Sequence, residues 1–182
     1  IVLQEKVSVL PFSHQGPFVR SADRAIWGVD ARGALVSRDE GRSWTRRTLF
    51  DEARFESSGE RALLRTREGV ILYAFLNRKE LDFRWDDSRG PLEGCRLPVY
   101  LSRSADDGVT WASPVKLQDG WCGAVRQMIQ LRTGRVVLIC QQGKRIALHT
   151  MSKPNFSSPS AFARALFTAS MARRNATPPP GT

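Results

Sequence analysis

The chain has 182 residues, of which 41% are hydrophobic and 9% aromatic, so it can bury a core as one globular domain. Its formal net charge of +10 would attract polyanions, but the arginines are scattered through nearly every segment, and no RNP, zinc-finger or helix-turn-helix pattern accompanies them. We therefore expect no nucleic-acid partner. No apolar run approaches the roughly 20 residues of a membrane helix, so we predict no membrane span.

The cysteines and histidines are too few and too scattered to predict a metal centre. Cys95, Cys122 and Cys140 are odd in number and lack C-x-x-C spacing, and the only histidines are His14 and His149. We predict no metal site and no cofactor. The cysteines are expected to be buried free thiols, with a single Cys122–Cys140 bridge as the alternative.

Three segments share the pattern of an apolar strand, a polar turn and a second apolar strand, with β-branched and aromatic residues on both sides of the turn. They are residues 18–29, 63–75 and 129–140. If Arg24, Gly69 and Gly134 hold equivalent turn positions, the copies are 45 and 65 residues apart. That is around the spacing of repeated four-stranded units with loop insertions. The pattern predicts an all-β fold built from antiparallel hairpins.

An eight-residue motif, Ser-x-Asp-x-Gly-x-(Ser/Thr)-Trp, occurs twice, at residues 37–44 and 104–111. Asp and Ser side chains can bond nearby backbone N–H groups, Gly supplies positive φ, and Trp anchors the turn in a core. The motif therefore predicts two strand-turn-strand units. Its fixed positions are Ser37, Asp39, Gly41, Trp44, Ser104, Asp106, Gly108 and Trp111.

The two motifs resemble the Asp-box (BNR) repeats of sialidases and related β-propellers. The resemblance implies that Asp39 and Asp106 are structural, because in that family the box is a folding element on the rim of each blade. A complete ring of about six four-stranded blades needs a longer chain. We therefore expect residues 1–150 to form a partial β-propeller, with about two to three four-stranded antiparallel blades of a six-bladed sialidase-type propeller.

The repeat pattern stops near Met151. A third box would follow the third hairpin, but residues 152–156 read Ser-Lys-Pro-Asn-Phe, without Asp or Gly in register. Residues 151–182 are rich in Ser, Ala, Arg and Pro, and we expect a disordered or weakly helical tail outside the propeller. One hypothesis is that the gene is truncated or shifted in frame at this point.

The irregular, charged insertion between Arg78 and Arg96 is a place where a β scaffold could carry binding chemistry. In the sialidase family an arginine is followed shortly by the Asp that acts as acid/base. By this resemblance Asp82 is the candidate acid/base and Arg78 a candidate substrate-binding residue. A solvent-exposed connection without a catalytic role is the alternative.

The resemblance also implies three arginines that bind the carboxylate of sialic acid, and a Tyr nucleophile assisted by Glu. A planar guanidinium suits a carboxylate because it can form two parallel hydrogen bonds. In the family, the first of these arginines lies about ten residues before a hairpin turn. The positions ten residues before the three predicted turns hold no Arg. Arg61 and Arg126, each two residues further along the chain, are therefore the candidates. Tyr73 and Tyr100 lie mid-strand among apolar neighbours, and we predict that both are core residues.

Two functions are consistent with these patterns. The first is a sialidase-like glycoside hydrolase of the exo-sialidase type, acting on terminal sialic acid or a related sugar and inactive as this chain alone. The second is a non-catalytic Asp-box propeller module that binds glycan or protein. A sialoside or related glycan is the carbohydrate partner that these interpretations allow, with a protein partner as the alternative for the second, and the resemblance implies a secreted or periplasmic protein.

Overall fold

The computed structural model describes residues 16–142, 145–151 and 168–169, with side chains described up to residue 141. The fold is all-β, with antiparallel sheets and one short 3-10 helix among the described residues. Within these ranges no helix is long and apolar enough to cross a bilayer. Most of the predicted tail, residues 151–182, lies outside the described residues.

Three four-stranded sheets follow one another along the chain, each antiparallel throughout. The first contains β1 (Phe18–Arg20), β2 (Ile26–Asp30), β3 (Gly33–Ser37) and β4 (Thr45–Arg47). The second contains β5 (Ser57–Arg65), β6 (Ile71–Asn77), β9 (Val99–Ser104) and β10 (Val115–Gln118). Between β6 and β9 the chain forms the short helix Arg78–Glu80 and a small hairpin of β7 (Trp85–Asp86) and β8 (Gly90–Pro91). The third contains β11 (Val125–Gln130), β12 (Val136–Gln142), β13 (Arg145–Met151) and β14 (Thr168–Ala169).

The order of strands in each sheet is compatible with the blades of a partial propeller. Each sheet is a meander in which neighbours in sequence are neighbours in space, apart from the hairpin inserted into the second sheet. The first strands of the sheets pack beside one another, β1 and β11 both against β5. The all-β prediction is confirmed, and the third sheet has a fourth strand, β14, which pairs with β13 at residues 168–169.

The three predicted hairpin turns are equivalent in the structure. Arg24, Gly69 and Gly134 have φ angles of 66°, 87° and 83°, and each lies between the first and second strands of its sheet. The backbone N–H of each donates to the carbonyl three residues earlier, at 3.1, 3.0 and 3.0 Å. The repeat alignment made from sequence therefore gives the correct register.

The first motif, Ser37–Trp44, forms the turn between β3 and β4, and we call it the first box turn. Ser37 Oγ accepts from the N–H of Gly41 at 2.7 Å, Asp39 Oδ1 accepts from the N–H of Ser43 at 2.8 Å, and Trp44 Nε1 donates to the Gly41 carbonyl at 3.0 Å. Hydrogen bonds from Ser43, then from Ser37, hold the pKa of Asp39 at about 2. The carboxylate is thus used inside the turn.

The second motif, Ser104–Trp111, forms the corresponding turn between β9 and β10, the second box turn. Its three equivalent hydrogen bonds measure 2.7, 2.8 and 3.3 Å. Burial opposes ionisation of Asp106, but hydrogen bonds from Thr110 and Ser104 outweigh it and lower the pKa. Both motifs therefore close the same turn with the same bonds.

Strand β6 is the centre of the core because both of its faces are buried. One face packs against the first sheet and the other against the third. Toward the first sheet it presents Ile71, Tyr73 and Phe75, which are all fully buried. Toward the third sheet it presents Leu72, Ala74 and Leu76. Because successive side chains of a strand point to opposite faces, β6 packs its own sheet against both the first and the third sheet.

The three cysteines are free and buried. Cys122 Sγ donates to the carbonyl of Ala124 at 3.3 Å, and Cys140 Sγ donates to Gln118 Oε1 at 3.4 Å. The free-thiol expectation is confirmed, and the alternative Cys122–Cys140 bridge is not formed.

The second box turn also joins the first two sheets. The Asp107 carboxylate accepts from the backbone N–H of Ala22 and pairs with Arg65 Nε at 2.6 Å. Gly108 lies on the indole ring of Trp27, where a Cβ on Gly108 would be 2.3 Å from the ring. Only glycine permits this approach, and its φ of 98° is also in the left-handed region.

We predict that Gly108→Ala lowers the free energy of unfolding by about 2–4 kcal/mol, since it adds left-handed backbone strain to a steric clash with a buried ring. The matched control is Gly59→Ala, because a Cβ there meets no atom within 4 Å. Chemical denaturation of both variants measures the difference. Equal stability of the two variants would contradict the packing described for Trp27.

Candidate functional site

Charged side chains gather at one edge of the second and third sheets. Because the strands are antiparallel, the starts of β5, β9 and β11 and the ends of β6 and β10 lie at the same edge, opposite the second box turn. We call this the polar edge. Its charged residues are Glu56, Glu60, Arg61, Arg78, Glu80, Asp82, Arg84, Arg96, Lys116, Asp119 and Arg126.

Glu80 is the centre of a hydrogen-bonded network that fixes the base of the insertion. Its carboxylate accepts from Arg96 at 2.7 Å, from Lys116 Nζ at 2.8 Å, and from the hydroxyl of Tyr100. Burial opposes ionisation, but hydrogen bonds from Lys116 and Tyr100 outweigh it and lower the pKa of Glu80. Glu80 is therefore a charged acceptor that is already satisfied by the protein.

Neither tyrosine presents its hydroxyl to solvent. Tyr73 is 0% exposed and donates to Ser57 Oγ at 2.6 Å; burial raises its pKa to about 12. Tyr100 is 9% exposed, and burial, followed by its hydrogen bond to Glu80, raises its pKa. The prediction that both tyrosines are core residues is confirmed.

Asp82 and Arg78, the candidates taken from the insertion, have different partners. Both carboxylate oxygens of Asp82 bind Arg84, at 3.1 Å to Nε and 2.9 Å to Nη2. The backbone of Asp82 pairs with that of Arg96. Arg78 Nε lies 3.6 Å from Glu56 on the other side of the short helix. The carboxylate of Asp82 is thus half-exposed but held by its own neighbour.

Arg61 and Arg126 lie on the adjacent first strands β5 and β11. Arg126 Nη1 pairs with Glu60 Oε2 at 3.2 Å and is exposed. Arg61 is only 5% exposed and faces the first sheet, close to Asp30, whose carboxylate already binds Arg46 at 2.9 and 2.7 Å. The structure therefore places the two arginines near one another along the polar edge but toward different neighbouring sheets.

Arg61 differs from the other cations of this edge in forming no close ion pair, although its charge interacts with the carboxylate of Asp30 and with the hydroxyl of Tyr73. Arg78, Arg84, Arg96, Lys116 and Arg126 each form an ion pair. Among the described residues, no ion pair includes Arg61, and its Nε and Nη1 are buried without a hydrogen-bond partner. A buried, unmatched guanidinium costs free energy unless an anion accompanies it. This feature was not visible in the sequence.

The insertion also carries an aromatic cluster, which the sequence analysis did not identify. The rings of Phe83, Trp85 and Trp121 lie 5.6 to 5.9 Å apart, and those of Phe83 and Trp85 are parallel within 4°. Phe83 is 61% and Trp85 43% exposed. The alternation Phe-x-Trp in an irregular loop was the signal available, because residues two apart in an extended segment share a face.

We predict that Arg61→Met raises the free energy of unfolding by about 1–3 kcal/mol, because it replaces an unmatched buried charge by an apolar side chain of similar length. The control is Arg126→Met, at an exposed pair, with an expected change within about 0.5 kcal/mol. Chemical denaturation provides both values. A marked loss of stability in Arg61→Met would show that Arg61 is a structural residue satisfied within the chain.

Comparisons with known proteins find similar chains among solved structures alone. No family model and no curated protein matches the chain. Among solved structures, it is similar to a Hadza microbial sialidase, with a TM-score of 0.43 and 18% identity over 77% of this chain and 32% of that one. It is also similar to a protein of unknown function from Dyadobacter fermentans, with a TM-score of 0.47 and 14% identity over 74% of this chain and 49% of that one. The chain spans about a third of the first protein and about half of the second.

Proposed function

We propose that this chain is part of a sialidase-like propeller and binds an acidic sugar, of the sialic acid type, through the carboxylate of the sugar at the polar edge. The observation that carries the proposal is Arg61, a buried guanidinium whose neighbouring carboxylate, Asp30, is already bound by Arg46 and whose Nε and Nη1 have no hydrogen-bond partner. A sugar carboxylate supplies the missing charge and two acceptor oxygens. Arg126, on the neighbouring strand β11, is an exposed cation of the same edge that is paired with Glu60.

The chemistry of the pair supports this ligand class. A guanidinium binds a carboxylate through charge-assisted hydrogen bonds. The two donors of Arg61 without a partner, Nε and Nη1, lie on different edges of the guanidinium, so each could donate one such bond to an acceptor oxygen. Such bonds strengthen when water is excluded, and Arg61 is almost fully buried. A neutral sugar would leave the charge of Arg61 unmatched.

The surroundings of the polar edge also suit a sugar. The exposed rings of Phe83 and Trp85 lie on the insertion that begins at this edge. Aromatic faces can bury the apolar CH face of a pyranose while its hydroxyls bond to nearby charged groups. The two box turns, with their resemblance to the Asp boxes of sialidases, support the same family.

We further propose that the chain alone binds the sugar without hydrolysing it. In the sialidase family the nucleophile is a Tyr, and the hydroxyls of Tyr73 and Tyr100 are both buried and bonded within the protein. Asp82, the candidate acid/base, is held by Arg84. These contacts favour the glycan-binding alternative for this chain, while exo-sialidase activity is proposed only for the whole protein.

Binding is tested by titrating the purified chain with N-acetylneuraminic acid and with galactose, using saturation-transfer NMR or calorimetry. We expect the acidic sugar to bind more tightly, and Arg61→Met to weaken its binding by about tenfold or more, because one charge-assisted bond contributes about 1.5–3 kcal/mol. The matched control is Arg132→Met, an exposed arginine in the turn between β11 and β12. Equal binding by wild type and Arg61→Met would refute the assignment of Arg61.

Turnover is tested separately with a fluorogenic sialoside. We expect no product above the rate of the buffer, since neither tyrosine can reach a substrate. Turnover that disappears in Asp82→Ala and persists in Asp51→Ala, a control carboxylate in the turn that follows β4, would contradict the binding-only proposal and restore Asp82 as the acid/base.

A further inference from the structure

A second concave surface lies between the first sheet and the second box turn. It is a cleft of about 500 Å³, a size typical of small-ligand sites. Trp27, Val36 and Trp111 contribute its apolar walls, and Asp23, Arg38 and Arg47 lie at its rim. None of its lining residues belongs to the polar edge, so this cleft is separate from the site proposed above.

The shape of the cleft is fixed by packing. The rings of Trp27 and Trp111 meet at 6.2 Å with an angle of 49°, and the second box turn rests on Trp27 through Gly108. Asp107 ties this turn to Ala22 and Arg65. A ligand would therefore meet a preformed wall, which reduces the conformational entropy lost on binding.

Most carboxylates of the cleft are already committed to the protein. Asp106 binds Thr110 within its own turn, and Asp107 joins the two sheets. Asp23 forms an exposed ion pair with Arg38, with side-chain exposures of 49% and 65%. Asp23 also accepts from the Ser21 hydroxyl and from the N–H of Ala25. The acidic wall is therefore satisfied by the protein, and the exposed guanidinium of Arg38 is the group of this pair that can donate to a ligand hydroxyl.

Two donors of the cleft lack an acceptor. Arg47 is exposed, and no ion pair of the described residues includes it. Trp27 is 4% exposed, and its Nε1 has no hydrogen-bond partner in that part of the chain. The ring carbon bonded to that nitrogen, Cε2, faces Gly108 at the cleft wall. Trp27 Nε1 is closed to solvent, so Arg47 is the donor that a ligand can reach. An exposed guanidinium beside an apolar surface suits a ligand with both acceptors and an apolar face.

The charges of the cleft select a neutral ligand over an anionic one. Three carboxylates, Asp23, Asp106 and Asp107, face two guanidinium groups, those of Arg38 and Arg47. An anion gains no excess of positive charge here, whereas a sugar hydroxyl can accept from a guanidinium and donate to a carboxylate. The CH groups on one face of a pyranose complement the ring of Trp111.

From these contacts we infer that the cleft between the first sheet and the second box turn is a second carbohydrate site, which binds a neutral hexose unit. The hexose lies against Trp111 and bonds to Arg47 and to the Asp23–Arg38 pair. The site is independent of the acidic-sugar site at the polar edge, and a glycan could use either one without the other.

The inference is tested by titrating the chain with lactose and following saturation-transfer NMR. We expect Arg47→Ala to weaken lactose binding by about tenfold, which corresponds to about 1.4 kcal/mol. Val109 is 82% exposed at the mouth of the cleft, so Val109→Trp should block entry without disturbing the core. The matched controls are Val109→Ala and Arg42→Ala, the latter in the exposed first box turn.

Three outcomes would overturn the inference: wild-type chain that does not bind lactose, lactose binding that survives both Arg47→Ala and Val109→Trp, or lactose binding lost in Arg61→Met. The last result would assign lactose to the polar edge. Conversely, loss of N-acetylneuraminic acid binding in Arg61→Met with lactose binding retained supports two separate sites. If the acidic-sugar proposal is wrong, N-acetylneuraminic acid binding does not depend on Arg61. If the present inference is wrong, lactose binding does not depend on Arg47 and Val109. The two outcomes can therefore be told apart.

Discussion

The packing of the described sheets depends on strand β6, which is buried on both faces. Its odd-numbered residues from Ile71 to Phe75 contact the first sheet, and its even-numbered residues from Leu72 to Leu76 contact the third. A strand that faces water on one side can tolerate polar residues there, but this one cannot. The continuous apolar run of β6 is therefore the condition under which three sheets pack side by side, with their turns at one edge and their charged residues at the other.

The two edges of the sheets have different roles because their polar groups are used differently. In the box turns the side chains of Ser, Asp and Trp form hydrogen bonds within the same eight residues. These polar groups therefore stabilise the turn and are not available to bind a ligand. At the polar edge the ion pairs reach between strands and into the insertion, and Arg61 is left without an anion. Stability and binding therefore oppose each other at Arg61, as is common where a site is preorganised for a ligand.

Local patterns were predictable from the sequence, and long-range contacts were not. The turn positions Arg24, Gly69 and Gly134 followed from strand alternation, and the motif fixed both box turns. Arg61 is buried and pairs with Phe75 of β6, after a register shift between Ser57 and Arg61 in the pairing of β5 with β6, which no local pattern reveals. In the same way, Trp121 joins Phe83 and Trp85 from a distant connection between β10 and β11, so the aromatic cluster exists only in the folded chain. The resemblance named Arg61, Arg78, Asp82 and Arg126 as separate candidates, and only the structure shows that they lie along one edge and which partners they have.

We propose that Arg61, which forms no close ion pair among the described residues, binds the carboxylate of a ligand. This proposal is tested most directly by the NMR signal of the Arg61 Nε–H group, assigned by its absence in Arg61→Met, during titration with N-acetylneuraminic acid and with galactose. We expect a saturable shift of this signal with the acidic sugar and no shift with galactose. A signal that is unchanged by both sugars, or shifted equally by both, would contradict it.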